Sequence, residues 1–118
     1  MNKYRDKSDF EINKAVFRAA RIKHKWFKFL PHGVVTYNIT GKWAIFDPCN
    51  NQADAMPIVI ENGISLIFDT GCKAWVAGIA YWVDGCEWQI SYEVERMNQY
   101  RAAMEVFLMM KDAENEKV

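Results

Sequence analysis

Cys49, Asn50, Asn51 and Asp54 crowd a thiol, two amides and a carboxylate into one stretch behind Asp47-Pro48. Side chains of these types either satisfy nearby backbone groups or mark a binding loop on a rigid scaffold. The structural reading is the simpler one, and the binding loop is its alternative. Upstream, Arg21-Ile22-Lys23-His24-Lys25-Trp26-Phe27-Lys28-Phe29 mixes bases with aromatics. Lysine and arginine neutralise phosphates and aromatics stack on exposed bases, so this run is a candidate nucleic-acid contact. In a helix, however, Trp26 and Phe27 would point to the core and could not stack, leaving a solvated cationic face. Metal ligation is poorly served. Cys49, Cys72 and Cys86 form no CxxC, and His24 and His32 lie far from all of them. A zinc site needs about four ligands, usually in two close pairs. An odd cysteine count also argues against a disulfide framework. No metal and no cofactor are expected. No Ser-His-Asp, Cys-His or phosphate-binding glycine pattern stands out, so no catalytic residue is assigned and a non-enzyme is expected.

Phe68-Asp69-Thr70-Gly71 resembles the Asp-Thr-Gly signature of aspartic proteases, in which two aspartates share a proton and activate water. The surroundings oppose it. Those proteases are nearly all strand, carry the aspartate early, and follow Asp-Thr-Gly with Ala or Ser, whereas Cys72 follows here. Asp, Thr and Gly all suit turns, so the plain reading is a strand end.

The charge is unevenly laid out. The 118 residues are formally neutral overall, but residues 1–32 hold nine basic and three acidic residues, a net +6, and the remainder a net −6. Such asymmetry suits either a nucleic-acid face or a self-complementary surface. Half the residues are apolar, enough for one domain with a modest core, and no apolar run reads as a membrane span or a secretory signal. A cytoplasmic protein with no membrane partner is expected, with roughly seven residues at the start and five at the end frayed.

The elements that would position these residues follow from pattern. Ser8-Asp9-Phe10-Glu11 reads as a capping box. From it, Ile12, Ala15, Val16, Ala19, Ala20, Ile22, Trp26 and Phe27 fall on one helical arc and Lys14, Arg18, Arg21, Lys25 and Lys28 on the other, which predicts a basic amphipathic helix ending before Pro31. Val34 to Ile39 and Lys42 to Phe46 read as strands. Asn51 or Asp54 caps a short helix with a second start or a kink near residue 55, which Pro57 calls for, ended by Asn62-Gly63. Ile64 to Asp69, Lys73 to Val83 and the alternating stretch after Cys86 read as three more strands. A two-residue turn at Asp84-Gly85 would put Val83 opposite Cys86 and Tyr81 opposite Trp88 on the core face. Trp82, Ala80, Gly78 and Val76 then lie beside Glu87, Gln89 and Ser91 on the other face, a shallow contact surface or one covered by another element. The last helix, about Asn98 to Ala113, has a narrow polar arc of Asn98, Arg101, Glu105 and Asp112, and must be buried in the core or in a dimer seam. The fold class is α+β: three helices and a mostly antiparallel sheet of about five strands, in the order α-β-β-α-β-β-β-α.

Three groups of segments, in order along nearly the whole chain, carry a family resemblance. They are Ser8 to Lys14; Cys49-Asn50-Asn51 with Asp54-Ala55, Pro57 to Asn62 and Ile64-Ser65-Leu66; and Arg101-Ala102-Ala103-Met104 with Val106 to Met110. Together they resemble the NinX family of lambdoid bacteriophages and prophages, a domain of unknown function. The pattern departs in the middle of the first helix, from Trp26 to Gly41, and at Met97-Asn98-Gln99-Tyr100, where Asn-Pro-Leu often precedes Arg-Ala-Ala-Met. The resemblance implies a phage or prophage product in the cytoplasm of a bacterial host, and it supplies no catalytic residues. The expectation is a non-enzymatic accessory protein that binds a host or phage macromolecule, as a homo-oligomer such as a homodimer. The alternative is a nucleic-acid-associated protein using the basic helix face.

Overall fold

A computed structural model describes residues 2–20, 27–30, 34–39 and 41–116. Ser8 opens the first helix, α1 (Asp9–Ala19), by accepting a hydrogen bond from the Glu11 N–H at 3.1 Å. The apolar period predicts that this helix runs on through Phe27. It does not: α1 stops at Ala19, and Phe27–Leu30 is a strand, β1, with Phe27 opposite Tyr37 of β2 (Val34–Ile39). Phe-Lys-Phe-Leu fits a period of two as well as a helical arc, and aromatic residues suit a pleated surface. Residues 21–26 and 31–33 lie outside the described residues, and with them Arg21, His24, Lys25, Trp26 and His32.

Strand β3 (Lys42–Phe46) pairs antiparallel with β2 and completes a first sheet in the order β1-β2-β3. Helix α2 (Gln52–Asn62) follows, capped by Asn51, whose Oδ1 accepts from the Ala53 N–H at 2.9 Å. Of the expected second start or kink near residue 55, the second start does not occur: one helix runs through Pro57, which removes the hydrogen bond that residue 57 would give the Ala53 carbonyl. Gly63, at φ 65°, ends it, with the Gly63 N–H on the Ile60 carbonyl and the Ile64 N–H on the Val59 carbonyl. Strands β4 (Ser65–Asp69), β5 (Ala74–Val83) and β6 (Glu87–Arg96) form a second antiparallel sheet in that order, and α3 (Gln99–Glu116) closes the chain. The fold is therefore α+β, in the expected order with β1 added, its strands divided between two three-stranded sheets.

Helix α3 is the hub. It contacts α1, α2 and all three strands of the second sheet. Residues Ala102, Ala103, Met104, Val106, Phe107 and Leu108 are buried against Ile12, Val16 and Phe17 of α1, Ile58 and Val59 of α2, and Ala77 and Val94 of the second sheet. Val35 and Phe46 bring the first sheet into the same core, with the Phe46 ring edge-on to Phe17 at 5.5 Å.

The β5-β6 register corrects the sequence reading. The turn holds three residues, Asp84-Gly85-Cys86, so Val83 faces Glu87, Trp82 faces Trp88 and Ala80 faces Ile90. Gly85, at φ 73°, sits third in the turn closed by the Cys86 N–H on the Val83 carbonyl, a place that in type II turns demands positive φ. One slipped residue moves every β6 side chain to the opposite face. Trp88 and Ile90 thereby leave the core side and join Trp82 and Ala80. A bulge between Ala77 and Ile79 reverses the slip, because three β6 residues span two of β5 and Val94 returns to the core opposite Ala77. Tyr92 lies in the bulge at φ 57°, a left-handed conformation that costs a bulky residue about 1–2 kcal/mol. Gly78 lies beneath it, and a Cβ there would meet Ile90 Cγ2 at 2.1 Å and the Ser91 carbonyl oxygen at 2.8 Å.

Two outcomes in urea unfolding follow. Gly78→Ala lowers stability by about 1–3 kcal/mol, and adding Ile90→Ala recovers only part of it because the Ser91 carbonyl cannot move away. Tyr92→Gly matches the parent chain, whereas Tyr92→Val loses about 1–2 kcal/mol because a β-branched residue tolerates positive φ worst.

Candidate functional site

The polar residues of the 47–54 stretch meet those of α1 and of the start of α3 in one junction. Asn13, on α1, donates to Asp47 Oδ1 at 2.7 Å and accepts from the Cys49 N–H at 3.1 Å. Asp54, on α2, accepts from the Asp47 N–H at 2.9 Å. Asn50 donates to Asp9 at 3.2 Å. Asn98 caps α3 by accepting from the Tyr100 and Arg101 N–H groups, while its amide donates to the Cys49 carbonyl at 2.7 Å and to Asn50 Oδ1 at 3.1 Å. Four of the sequence-flagged residues are thus accounted for structurally: Asn51 caps α2, Asp54 and Asn50 hold the loop, and Cys49 is buried with its backbone gripped at both ends.

Beside them lies a charged centre that the sequence reading left unremarked. Glu105 of α3 is completely buried. Its Oε1 accepts from Asn2 Nδ2 at 2.6 Å and Arg96 Nη2 at 2.8 Å, and its Oε2 from Arg96 Nε at 2.9 Å and Arg101 Nε at 2.8 Å. Those bonds occupy all the acceptor positions of a carboxylate. Arg101 carries the network outward, with Nη1 on Asp9 Oδ1 at 2.7 Å and Nη2 on the Tyr4 and Lys7 carbonyls at 3.0 and 2.7 Å. Burial alone would lower the Arg101 pKa, but hydrogen bonds to Glu105 and Asp9 outweigh it and raise it. The signal available in the sequence was the i, i+4 pair Arg101 and Glu105 on an otherwise apolar helix.

The junction is built to hold position. Every buried side-chain nitrogen and oxygen among the described residues has a hydrogen-bond partner. Burial, and then the Asp9 carboxylate, push the Cys49 thiol far above its ordinary range, so it is no nucleophile at neutral pH. Burial likewise raises Asp54. The cleft beside the junction, lined by Asp9, Asn13, Asp47 and Asn50, measures about 120 Å³, well below the roughly 300 Å³ at which small-molecule sites begin.

Asp69, the aspartate of the protease-like string, ends β4 and folds back on its own turn. Its Oδ1 accepts from the Gly71 N–H at 2.9 Å and the Cys72 N–H at 3.3 Å, and those backbone donors, Cys72 first, hold its carboxyl below the usual range. Asp69, Cys72 and Glu95 bring ligand atoms within 4.8 Å of one another. A zinc ion there would need a fourth ligand, and the hydrogen bond to Asp69 raises the Cys72 thiol rather than activating it.

The basic stripe does not stay on one helix. Lys14 and Arg18 lie on α1, but Lys28 is in β1. Lys14 sits 3.4 Å from Glu11 and over the Phe10 ring, and Arg18 lines a cleft of about 490 Å³ with Glu61, Lys111 and Glu114.

A second feature became visible only with the register. On the second sheet, Ala77 and Val94 turn inward, and the opposite face carries Ile67, Val76, Ala80, Trp82, Trp88 and Ile90. Trp82 and Trp88 are 52% and 65% exposed, their rings edge-to-face at 5.5 Å, and Ile67 is 44% exposed.

Replacing Glu105 by Ala leaves two arginines without their buried partner and costs about 3–5 kcal/mol in chemical unfolding. In thiol titration of the native protein, Cys86 and Cys72 react, Cys72 more slowly, and Cys49 reacts only after denaturation.

No helix among the described residues is long and apolar enough to cross a membrane. Among curated proteins, none matches the chain. The capping box, the loop-to-α2 joint and the apolar last helix are the segments whose resemblance was noted above, and the family model described as Bacteriophage P22, NinX spans them all, matching residues 3–111. The chain belongs to the NinX family.

Proposed function

We propose that this phage protein is a non-enzymatic binding protein, acting in the host cytoplasm on a host or phage macromolecule, and that the outer face of β4-β5-β6 makes the contact. The observation that carries this reading is the pair Trp82 and Trp88, exposed on a sheet face turned away from every helix of the core. Large exposed aromatic groups in contiguous patches mark interaction sites more than they mark ordinary surface. The polar junction supports the reading from the other side, since its groups satisfy one another and leave no activated nucleophile. A homo-oligomer would have to use surface other than the apolar arc of α3, because residues 102–108 are buried within one chain.

The alternative, nucleic acid on the basic residues, draws less support. Arg21 and Lys25 lie outside the described residues, and phosphates approaching Arg18 would also meet Glu61 and Glu114. A tagged chain passed through lysate of the natural host tests the first reading. The Trp82→Ala/Trp88→Ala double variant keeps its stability within about 1.5 kcal/mol, the worth of an aromatic pair, and loses the macromolecule that the parent retains. Identical retention by the two proteins would overturn the reading.

A further inference from the structure

The outer sheet face carries more information than its apolarity. The β5-β6 hairpin, residues 74–96, contains four carboxylates, Asp84, Glu87, Glu93 and Glu95, and one cation, Arg96, at its very end. Of these, Glu93 and Glu95 alternate with the inward-facing Val94, so both lie on the outer face, and both are exposed. Asp69 is opposite Ala74 at the same end of the sheet. The cations in reach are few. Arg96 is committed to Glu105. Arg5 lines a cleft of about 670 Å³ together with Glu93 and Glu95, and Lys73 lies in the turn before β5. The face is thus anionic at one end and aromatic at the other. Among the described residues no strand pairs with the outer edge of β6, the kind of edge to which a further strand can add.

We propose that this face docks a cationic protein segment, with Trp82 and Trp88 as apolar anchors and Glu93 and Glu95 as the carboxylates that meet its lysines or arginines. The proposal rests on the binding reading above and names the class of partner. Charge complementarity selects the occupant. Nucleic acid would bring phosphates against three carboxylates, and an acidic or neutral protein segment would leave them desolvated without a counter-charge. An arginine or lysine gains twice, from a carboxylate and from an indole face. An extended segment beside β6 would present alternate side chains to the face, which suits a strand in which cationic and apolar residues alternate.

The test uses the full chain and defined probes. Fluorescein-labelled peptides alternating arginine with leucine, serine with leucine, and glutamate with leucine are titrated by anisotropy, beside a single-stranded oligonucleotide. The arginine peptide binds, weakens with added salt, and loses about tenfold in affinity, roughly 1.4 kcal/mol, in both the Trp82→Ala/Trp88→Ala and the Glu93→Gln/Glu95→Gln variants. Circular dichroism and unfolding midpoints confirm that both variants fold. Equal, tryptophan-dependent binding of the serine peptide would overturn the cationic class and leave the binding reading standing. Tryptophan-dependent binding of the oligonucleotide would overturn the choice of a protein partner. Self-association abolished by the tryptophan variant, with no peptide bound, would make a second copy the occupant and overturn the proposal. If no probe binds, the proposal fails. The binding reading fails with it only if the tryptophan variant also retains the same host macromolecules as the parent.

Discussion

A single buried carboxylate constrains this fold more than any apolar contact does. Glu105 sits in the middle of the most buried stretch of α3, between Met104 and Val106, and removing a charge from water costs several kcal/mol unless it is matched. Its match comes from three separate parts of the chain: Asn2 from the N-terminal segment, Arg96 from the end of β6 and Arg101 from one turn earlier on α3. Each must arrive for the others to be satisfied. The Arg96 contact fixes where β6 ends relative to α3, and the Arg101 contacts to Asp9 and to the Tyr4 and Lys7 carbonyls fix the approach of α1. Apolar packing tolerates sliding, while a saturated carboxylate has one geometry. The network's role is accordingly to set alignment between elements, with hydrophobic burial around α3 supplying the stability.

The same logic of fixed alignment explains the second sheet. A three-residue turn at Asp84-Gly85-Cys86 slips the hairpin register by one, which would place Glu93 and Glu95 in the core if it persisted. The bulge at Tyr92 restores Val94 to the inside before Arg96 must reach Glu105. Between turn and bulge, the strands lie in the slipped register, and there Trp88 and Ile90 join Trp82 on the outer face. The strained Tyr92 backbone and the clearance at Gly78 are the local costs of having two registers in one hairpin. An apolar outer face is thus a consequence of the turn length, not of a poorly patterned strand.

Much of this was legible in the sequence, and what was not has identifiable causes. The Ser8 cap, the bounds of β2 and β3, the Gly63 stop and the burial of α3 follow from local rules, because a cap or an apolar arc needs only its own neighbours to be recognised. The end of α1 was missed because Phe27-Lys28-Phe29-Leu30 satisfies two periods at once, and pairing with β2 decided between them. The hairpin register was missed because Asp-Gly serves two- and three-residue turns alike, and no local feature announced a bulge at Tyr92. The polar crowding of Cys49, Asn50, Asn51 and Asp54 was visible in the sequence, but their partners Asn13, Asn98 and Asp9 are distant along the chain. Glu105 looked like the solvent side of a helix because a polar arc has the same signature whether water or an arginine faces it.

That last ambiguity bears on the charge asymmetry. A net +6 followed by a net −6 suggests two poles, but among the described residues the fold mixes them: Lys3 pairs with Asp112, Arg101 with Asp9, and Arg18 lines a cleft with Glu61 and Glu114. Lys3 and Arg18 of the basic first 32 residues thus meet carboxylates of the remainder, while Arg101 of the remainder pairs with Asp9 of the basic segment. The β5-β6 hairpin is different. Its one cation, Arg96, is committed to the buried Glu105, and Glu93 and Glu95 lie on the outer face. Glu93 and Glu95 therefore stay exposed on that face after folding, alongside exposed indole rings that add burial energy to any charge contact. Exposed carboxylates and exposed indole rings on one sheet face together supply the charge contact and the apolar anchor that a partner segment needs.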